Sequence, residues 1–198
     1  MDIEPQDAAA ARKAGYMTGQ VLIAMPQLRD SFFARTIVYI GSHNEEGAMG
    51  IVLNKPLPSL TFGELLMQLE IEAGTEELRD SRVHFGGPVD TARGFVLHSP
   101  EYDRDGTVTI DKDVSLTTTV EVLRDIAEEK GPQKSFVALG YSGWTAGQLD
   151  QEILSNGWLS VDPDPDLLFG EDLDSKWKKA MDKLGIDIDR LTVESGQA

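Results

Sequence analysis

Gly140-Tyr141-Ser142-Gly143-Trp144 follows an apolar run and precedes a helix-start signal, the setting in which a nucleophilic serine is exposed on a sharp strand-to-helix turn. That arrangement needs glycine two residues before and two residues after the serine. Gly140 meets the first requirement, but Trp144 stands where the second glycine belongs. The segment therefore predicts a tight turn whose glycines let backbone approach backbone, with Tyr141 and Trp144 as buried anchors. Phe85-Gly86-Gly87-Pro88-Val89 lacks the Gly-Lys-Ser/Thr ending that would serve a phosphate and its magnesium, and it too predicts a turn. His43, His84 and His98 fall on three separate segments without the i, i+4 spacing of a helical metal site. The absence of cysteine removes thiolate ligands, disulfides and thiol nucleophiles. No catalytic residue, metal or cofactor is expected on these grounds.

A binding site remains open to the polar groups at strand ends. His43, Asn54, Arg93, His98, Tyr141, Trp144 and Gln148 each sit at or beside a turn that ends an apolar strand or opens a helix, where side chains leave the core. Converging there, they would form a ligand site in which Arg93 supplies a fork for a carboxylate or phosphate. The amides of the helix opening near Thr145 would add a second anion-favouring field. The plainer alternative is that Arg93 pairs with Asp90, while His98 and Asn54 tie down their own turns.

The elements that must position these residues are legible from patterning. Residues 20–24 and 35–40 are strand-length apolar runs rich in β-branched side chains, and residues 48–53 read as the second arm of a hairpin turned at 41–47. Further strands are predicted at 83–85, 94–98, 107–110 and 135–139. Thr61 with Glu64, Thr118 with Glu121 and Thr145 with Gln148 match the capping box, predicting three helix starts. A fourth helix carries Trp177, Ala180, Met181 and Leu184 on one face and stops at Gly185, and its stripe reads as a docking surface. Asp162-Pro163-Asp164-Pro165-Asp166 reads as a rigid acidic loop. Strands and helices are interspersed without a βαβ rhythm, which predicts an α+β fold. One domain is expected over residues 16–198, preceded by a flexible arm over 1–15.

Composition narrows the partners. The 198 residues carry a net charge of −16, so a polyanion is repelled unless a basic patch is concentrated somewhere. The dense lysine run, Lys176, Lys178, Lys179 and Lys183, is interleaved with aspartates and reads as a solvated helix face. No apolar run approaches the roughly 20 residues of a membrane span, and the acidic N-terminus has no signal-peptide pattern. A cytoplasmic protein without direct nucleic-acid binding and without a membrane partner is expected, with a protein or small-molecule partner of unknown identity.

Taken in order, several motifs add up to a resemblance. They are Leu22-Ile23-Ala24-Met25-Pro26, Gly47-Ala48-Met49-Gly50, Asn54-Lys55-Pro56, Gly86-Gly87-Pro88-Val89, Arg93 to His98, and Leu139 to Trp144 with Gly147-Gln148-Leu149. The chain resembles the bacterial YqgE/AlgH family from about Gly19 to Phe169, with the residues from Gly170 onward outside the shared motifs. The resemblance implies an α+β fold: a branched mixed β-sheet that includes a small closed barrel, surrounded by helices. It brings a transcriptional-regulator label but no established reaction or catalytic residues, and relatives commonly carry alanine at the position of Ser142. Three functions are expected in descending order: a non-catalytic regulatory or ligand-binding protein acting indirectly on transcription, an unrecognised enzyme with a polar site at the turn-rich end of the sheet, and direct DNA binding.

Overall fold

The computed structural model describes residues 8, 11, 15–26, 28, 31–72 and 74–186. Of the arm expected over 1–15, Ala8 and Ala11 are helical, and the rest, Gly15 apart, lies outside the described residues.

Among the described residues ten strands form one mixed sheet: β1 (Val21–Ala24), β2 (Ile37–Asn44), β3 (Gly47–Val52), β4 (Pro56–Thr61), β5 (Arg82–Phe85), β6 (Val89–His98), β7 (Thr107–Thr109), β8 (Ser115–Thr117), β9 (Ser135–Thr145) and β10 (Trp158–Val161). Their order is β10-β1-β2-β3-β9-β6-β8-β7, with β5 joined to β9 and β4 to β5. The sheet branches at β9. Thr145 to Ser142 pair antiparallel with β3, while Ala138 and Leu139 pair parallel with β5 on the same side. The other side of β9 carries β6, with a register shift between Val89 and Gly94.

Gly140 makes the branch possible. Its φ is 72°, a conformation that L side chains adopt at a cost. A Cβ there would stand 2.4 Å from the Gly87 carbonyl oxygen, so the β5–β6 turn and β9 touch backbone to backbone. The tight turn predicted at 140–144 is thus a bulged strand: β9 continues to Thr145, and the approach of two backbones, not a reversal of direction, is what demands glycine.

Among the described residues from 31 to 186, six α-helices surround the sheet: α1 (Phe62–Gln68), α2 (Glu76–Arg79), α3 (Val120–Ala127), α4 (Gln148–Leu154), α5 (Pro165–Phe169) and α6 (Leu173–Lys183). The capping box of α1 is formed, Thr61 Oγ1 accepting from Glu64 N–H at 3.2 Å and Glu64 accepting from Thr61 N–H at 2.7 Å. The other two predicted boxes are displaced. α3 is capped by Thr119 without a side-chain bond, while Thr118 Oγ1 accepts from Arg93 instead. α4 starts after Gly147, although Gln148 Oε1 still accepts from Thr145 N–H at 3.0 Å. The expected acidic loop contains the start of α5, where Asp164 accepts from the amides of Asp166 and Leu167 and Pro165 sits in the first turn.

The sheet curls into a half-barrel, and among the described residues no pairing joins its ends, β10 and β7. The barrel is therefore half closed by strands, and α5 and α6 cover its inner face. Leu167, Leu168, Trp177, Ala180 and Met181 pack into one core with Val21, Ile23, Tyr39 and Met49. Leu22, Ala24, Val38 and Ile40, the alternate residues of the same strands, face a second core beneath α4. Burial on both faces explains why these strands read as unbroken apolar runs. The third core lies under α1 and α3. No helix among the described residues is long and apolar enough to cross a membrane.

Candidate functional site

Ser142 is wholly buried, and its hydroxyl donates to the Gly86 carbonyl at 3.3 Å. A serine so placed touches a carbonyl rather than a base, and no nucleophile is assembled.

The histidines are committed to the fold. His43 Nδ1 accepts from Met17 N–H at 3.0 Å, so the ring proton sits on Nε2, 3.6 Å from Asp150. Burial lowers the pKa of His43 despite Asp150, which raises it. His98 Nδ1 is 2.9 Å from the Ser99 carbonyl, which can only accept. Nε2 therefore accepts from Thr117 Oγ1 at 2.8 Å, and Thr107 completes the chain by donating to Thr117 at 2.8 Å. Burial lowers the pKa of His98 as well. Both rings are neutral and have their nitrogens occupied.

The remaining candidates separate. Trp144 and Trp158 both donate to Glu152 Oε2, at 2.9 and 2.7 Å, while Gln148 donates to its Oε1 at 2.9 Å. Arg93 lies 5.4 Å over the Phe95 ring and reaches Thr118, not Asp90, and Tyr141 meets Phe95 edge-on at 5.6 Å. Phe95 and Tyr141 belong to the inner core and Trp144 to the core under α4. Arg93 and Trp144 are thus on opposite faces of the sheet, and the seven residues do not converge on one cleft. The cause is β9 itself: because residues 141–145 remain extended beyond the Gly140 bulge, Tyr141 and Trp144 leave it on opposite sides.

Asn54 has the most informative position. Its Oδ1 accepts from Ile37 N–H at 3.0 Å and its Nδ2 donates to the Arg35 carbonyl at 2.9 Å. This clamp holds Arg35 at a φ of 52°, uncommon for a residue other than glycine. The Arg35 guanidinium lies 5.6 Å over the Trp177 ring. Lys55, next to Asn54, donates to the Phe32 carbonyl. Together these residues line a groove of about 940 Å³ between β3–β4 and α6, with Asp174 and Asp182 on its helix side. Trp177 is fixed in turn by its indole N–H, which donates to Ala24 O at 2.9 Å. Among the described residues, the Arg35 guanidinium forms no salt bridge, although Asp174 and Asp182 line the same groove, and Asp182 is held by Lys178 at 2.7 Å.

A second groove, of about 830 Å³, contains His84. His84 stacks on Phe136 with ring centroids 3.9 Å apart, and its Nδ1 donates to Val137 O at 2.9 Å. Burial, with further lowering by Lys176 and Arg82, brings its pKa to about 4. The ring is neutral, and among the described residues its Nε2 lone pair has no donor. No cluster of three His, Asp or Glu residues suited to a metal ion is found among the described residues.

The AlgH-like family model matches residues 21–189, most of the chain, including α6. The chain belongs to the AlgH-like family. Two relatives bearing the name UPF0301 protein cover nearly the full length. That of Rhodopseudomonas palustris strain HaA2 is 47% identical over 98% of this chain and 93% of its own. That of Bradyrhizobium diazoefficiens is 48% identical over 96% and 92%. The solution structure of the AlgH protein from Pseudomonas aeruginosa superimposes with a TM-score of 0.77 at 38% identity, covering 92% of this chain and 96% of that one. A crystal structure of a Corynebacterium diphtheriae protein, 18% identical with a TM-score of 0.66, shares the fold. The AlgH-like match reaches twenty residues past Phe169, so the helix that carries Trp177 is part of the shared domain rather than an appended tail.

Proposed function

We propose that this AlgH-like protein is a cytoplasmic, non-catalytic binding protein that holds an anionic group of a partner or ligand at Arg35 and influences transcription only indirectly. The observation that carries the reading is the Arg35 groove. A guanidinium is clamped through its own backbone by Asn54, laid on Trp177 and engaged in no salt bridge among the described residues. Pre-ordering of this kind lowers the cost of binding a carboxylate. Absence of catalysis is supported by the engagement of Ser142, His43 and His98 in the fold, and the lack of cysteine fits a reducing compartment.

The test is a titration of isotope-labelled protein with the dipeptide acetyl-Asp-Glu-amide, followed by the Arg35 side-chain N–H and backbone amide resonances. Saturable shifts centred on Arg35, Asn54 and Trp177 are expected. Arg35→Asn, which tolerates the positive φ, should abolish them while leaving the rest of the spectrum in place. Shifts that survive in Arg35→Asn, or none in the parent protein, would remove the reading.

A further inference from the structure

The groove containing His84 follows a seam between two cores. Phe62 and Ile126, which line it, belong to the core under α1 and α3, whereas Phe136 and Phe169, which also line it, belong to the inner core. Alternation along β5 brings His84 there. Val83 is buried in the core under α1 and α3, and His84, the next residue, turns the other way and lies on Phe136 with the two ring planes 20° apart.

One polar atom at the seam is left for a visitor. The Val137 carbonyl can only accept, so it fixes the ring proton on Nδ1 and leaves a lone pair on Nε2. Among the described residues the one wholly buried side-chain polar atom without a partner is Thr119 Oγ1, so His84 Nε2 is not sealed in the core and opens on the groove. At neutral pH the ring carries no charge, and Nε2 is an acceptor held in a fixed orientation by the stack on Phe136.

The charges around the seam narrow what it can take. Glu77, Asp80, Glu171 and Asp172 line the groove against one cation, Arg82, and together they repel an anion. A cation is opposed further in, because the charges acting on the His84 ring are those of Lys176 and Arg82, and both disfavour a positive charge there. A neutral donor meets neither obstacle. The apolar lining, with Phe169 half-buried, suits a flat aromatic body, and the volume of about 830 Å³ is that of a small-molecule site.

We propose that this seam is a binding site for a neutral aromatic molecule with an O–H or N–H group at its edge, which donates to His84 Nε2 while the ring lies against Phe169. Arg35 lines a different groove, so failure here would leave the Arg35 reading untouched.

Titration of isotope-labelled protein with para-cresol, its methyl ether and benzylammonium, followed at the His84 ring nitrogens and the Val137 methyl groups, tests the site. Para-cresol is expected to give saturable shifts at both positions, with Nε2 moving as a lone pair does on accepting a hydrogen bond. The methyl ether keeps the ring and loses the donor, so it should bind about tenfold more weakly or worse, the cost of leaving the histidine acceptor unmet. Benzylammonium should give no saturable shift at His84. In His84→Phe, which keeps an aromatic ring on Phe136, the preference for para-cresol over its ether should vanish, and if that variant does not fold, the comparison of the two probes on the parent protein decides. Equal binding of para-cresol and its ether would reduce the seam to an apolar crevice in which His84 plays no part and overturn the proposal. Tighter binding of benzylammonium would assign the groove to cations, and absence of saturation with every probe would leave it to solvent, and either result overturns the proposal as well.

Discussion

Lys176 shows how much a single side chain on α6 determines. It is 1% exposed, and its ammonium donates to Leu53 O at 3.2 Å and Leu168 O at 3.4 Å, 5.3 Å above the Phe136 ring. Carbonyls and a ring face substitute for a carboxylate, so the charge is solvated but not neutralised. Burial accordingly lowers its pKa from 10.5 to about 8, with Asp166 opposing and Lys179 assisting. The folded value lies below the unfolded one, so between pH 8 and 10.5 the unfolded chain binds more protons, and stability rises with pH through that window. The burden on the folded state below pH 8 is roughly 3 kcal/mol, from 1.36 kcal/mol per pKa unit. Tyr102, whose phenol is pushed up to about 12 by burial and Asp125, opposes this trend above pH 10. Urea unfolding should therefore show a stability gain from pH 7.5 to pH 9.5, and Lys176→Met should remove the slope while losing little stability at pH 7. A flat or falling profile in the parent protein would contradict this account.

At the scale of elements, the contact of β9 with the β5–β6 turn is the sharpest constraint. Gly140→Ala would place a Cβ against the Gly87 carbonyl at a positive φ, and a loss of roughly 3 kcal/mol or failure to fold is expected. Gly94→Ala is the matched control, since a Cβ there meets nothing within 4 Å and changes stability by less than about 1 kcal/mol. Thermal unfolding of the two variants makes the comparison, and equal effects would refute the assignment of strain to Gly140. The same element shows where sequence reasoning stops. Apolar runs such as Val21–Ala24 were legible because burial on both faces leaves no polar residue to confuse them, and α1 because Thr61 and Glu64 satisfy one another locally. The bulge at Gly140 was not, because glycine serves turns and bulges alike and the deciding neighbour, Gly87, is remote in sequence. β4 is not legible because Pro56 and Pro58 lack N–H groups and so weaken a strand signal that only an unpaired edge tolerates. In the candidate site Asn54 was legible as a polar group at a strand end. Arg35 was not, because arginine gives no sign of a left-handed backbone that is imposed from nineteen residues away. His84 was passed over as one of three scattered histidines, and its unoccupied nitrogen is visible only once the Val137 carbonyl has taken the other.

For the whole molecule, the net charge of −16 has to be weighed against how its cations are arranged. A DNA-binding protein releases counterions in proportion to the phosphates that its lysines and arginines neutralise, so free cations count and paired ones count less. The densest run, on α6, is spent within the fold: Lys178 is 2.7 Å from Asp182, Lys179 2.8 Å from Asp166, Lys183 2.7 Å from Asp164, and Lys176 is buried. α4, which follows the extended β9, exposes Asp150 and carries no lysine or arginine, so it would meet a phosphate backbone with a carboxylate. Pairing of the α6 lysines is exposed and individually weak, but opening three pairs would uncover three aspartates beside the same phosphates. The expected result is no sequence-selective retention of duplex DNA by the purified protein at about 0.15 M salt, where screening leaves contacts within about 8 Å. At about 0.02 M salt any residual association should be weak and indifferent to sequence. Selective binding at the higher salt, weakened by Lys178→Gln and Lys179→Gln together, would show that α6 releases its aspartates to engage DNA and would overturn the indirect role in transcription.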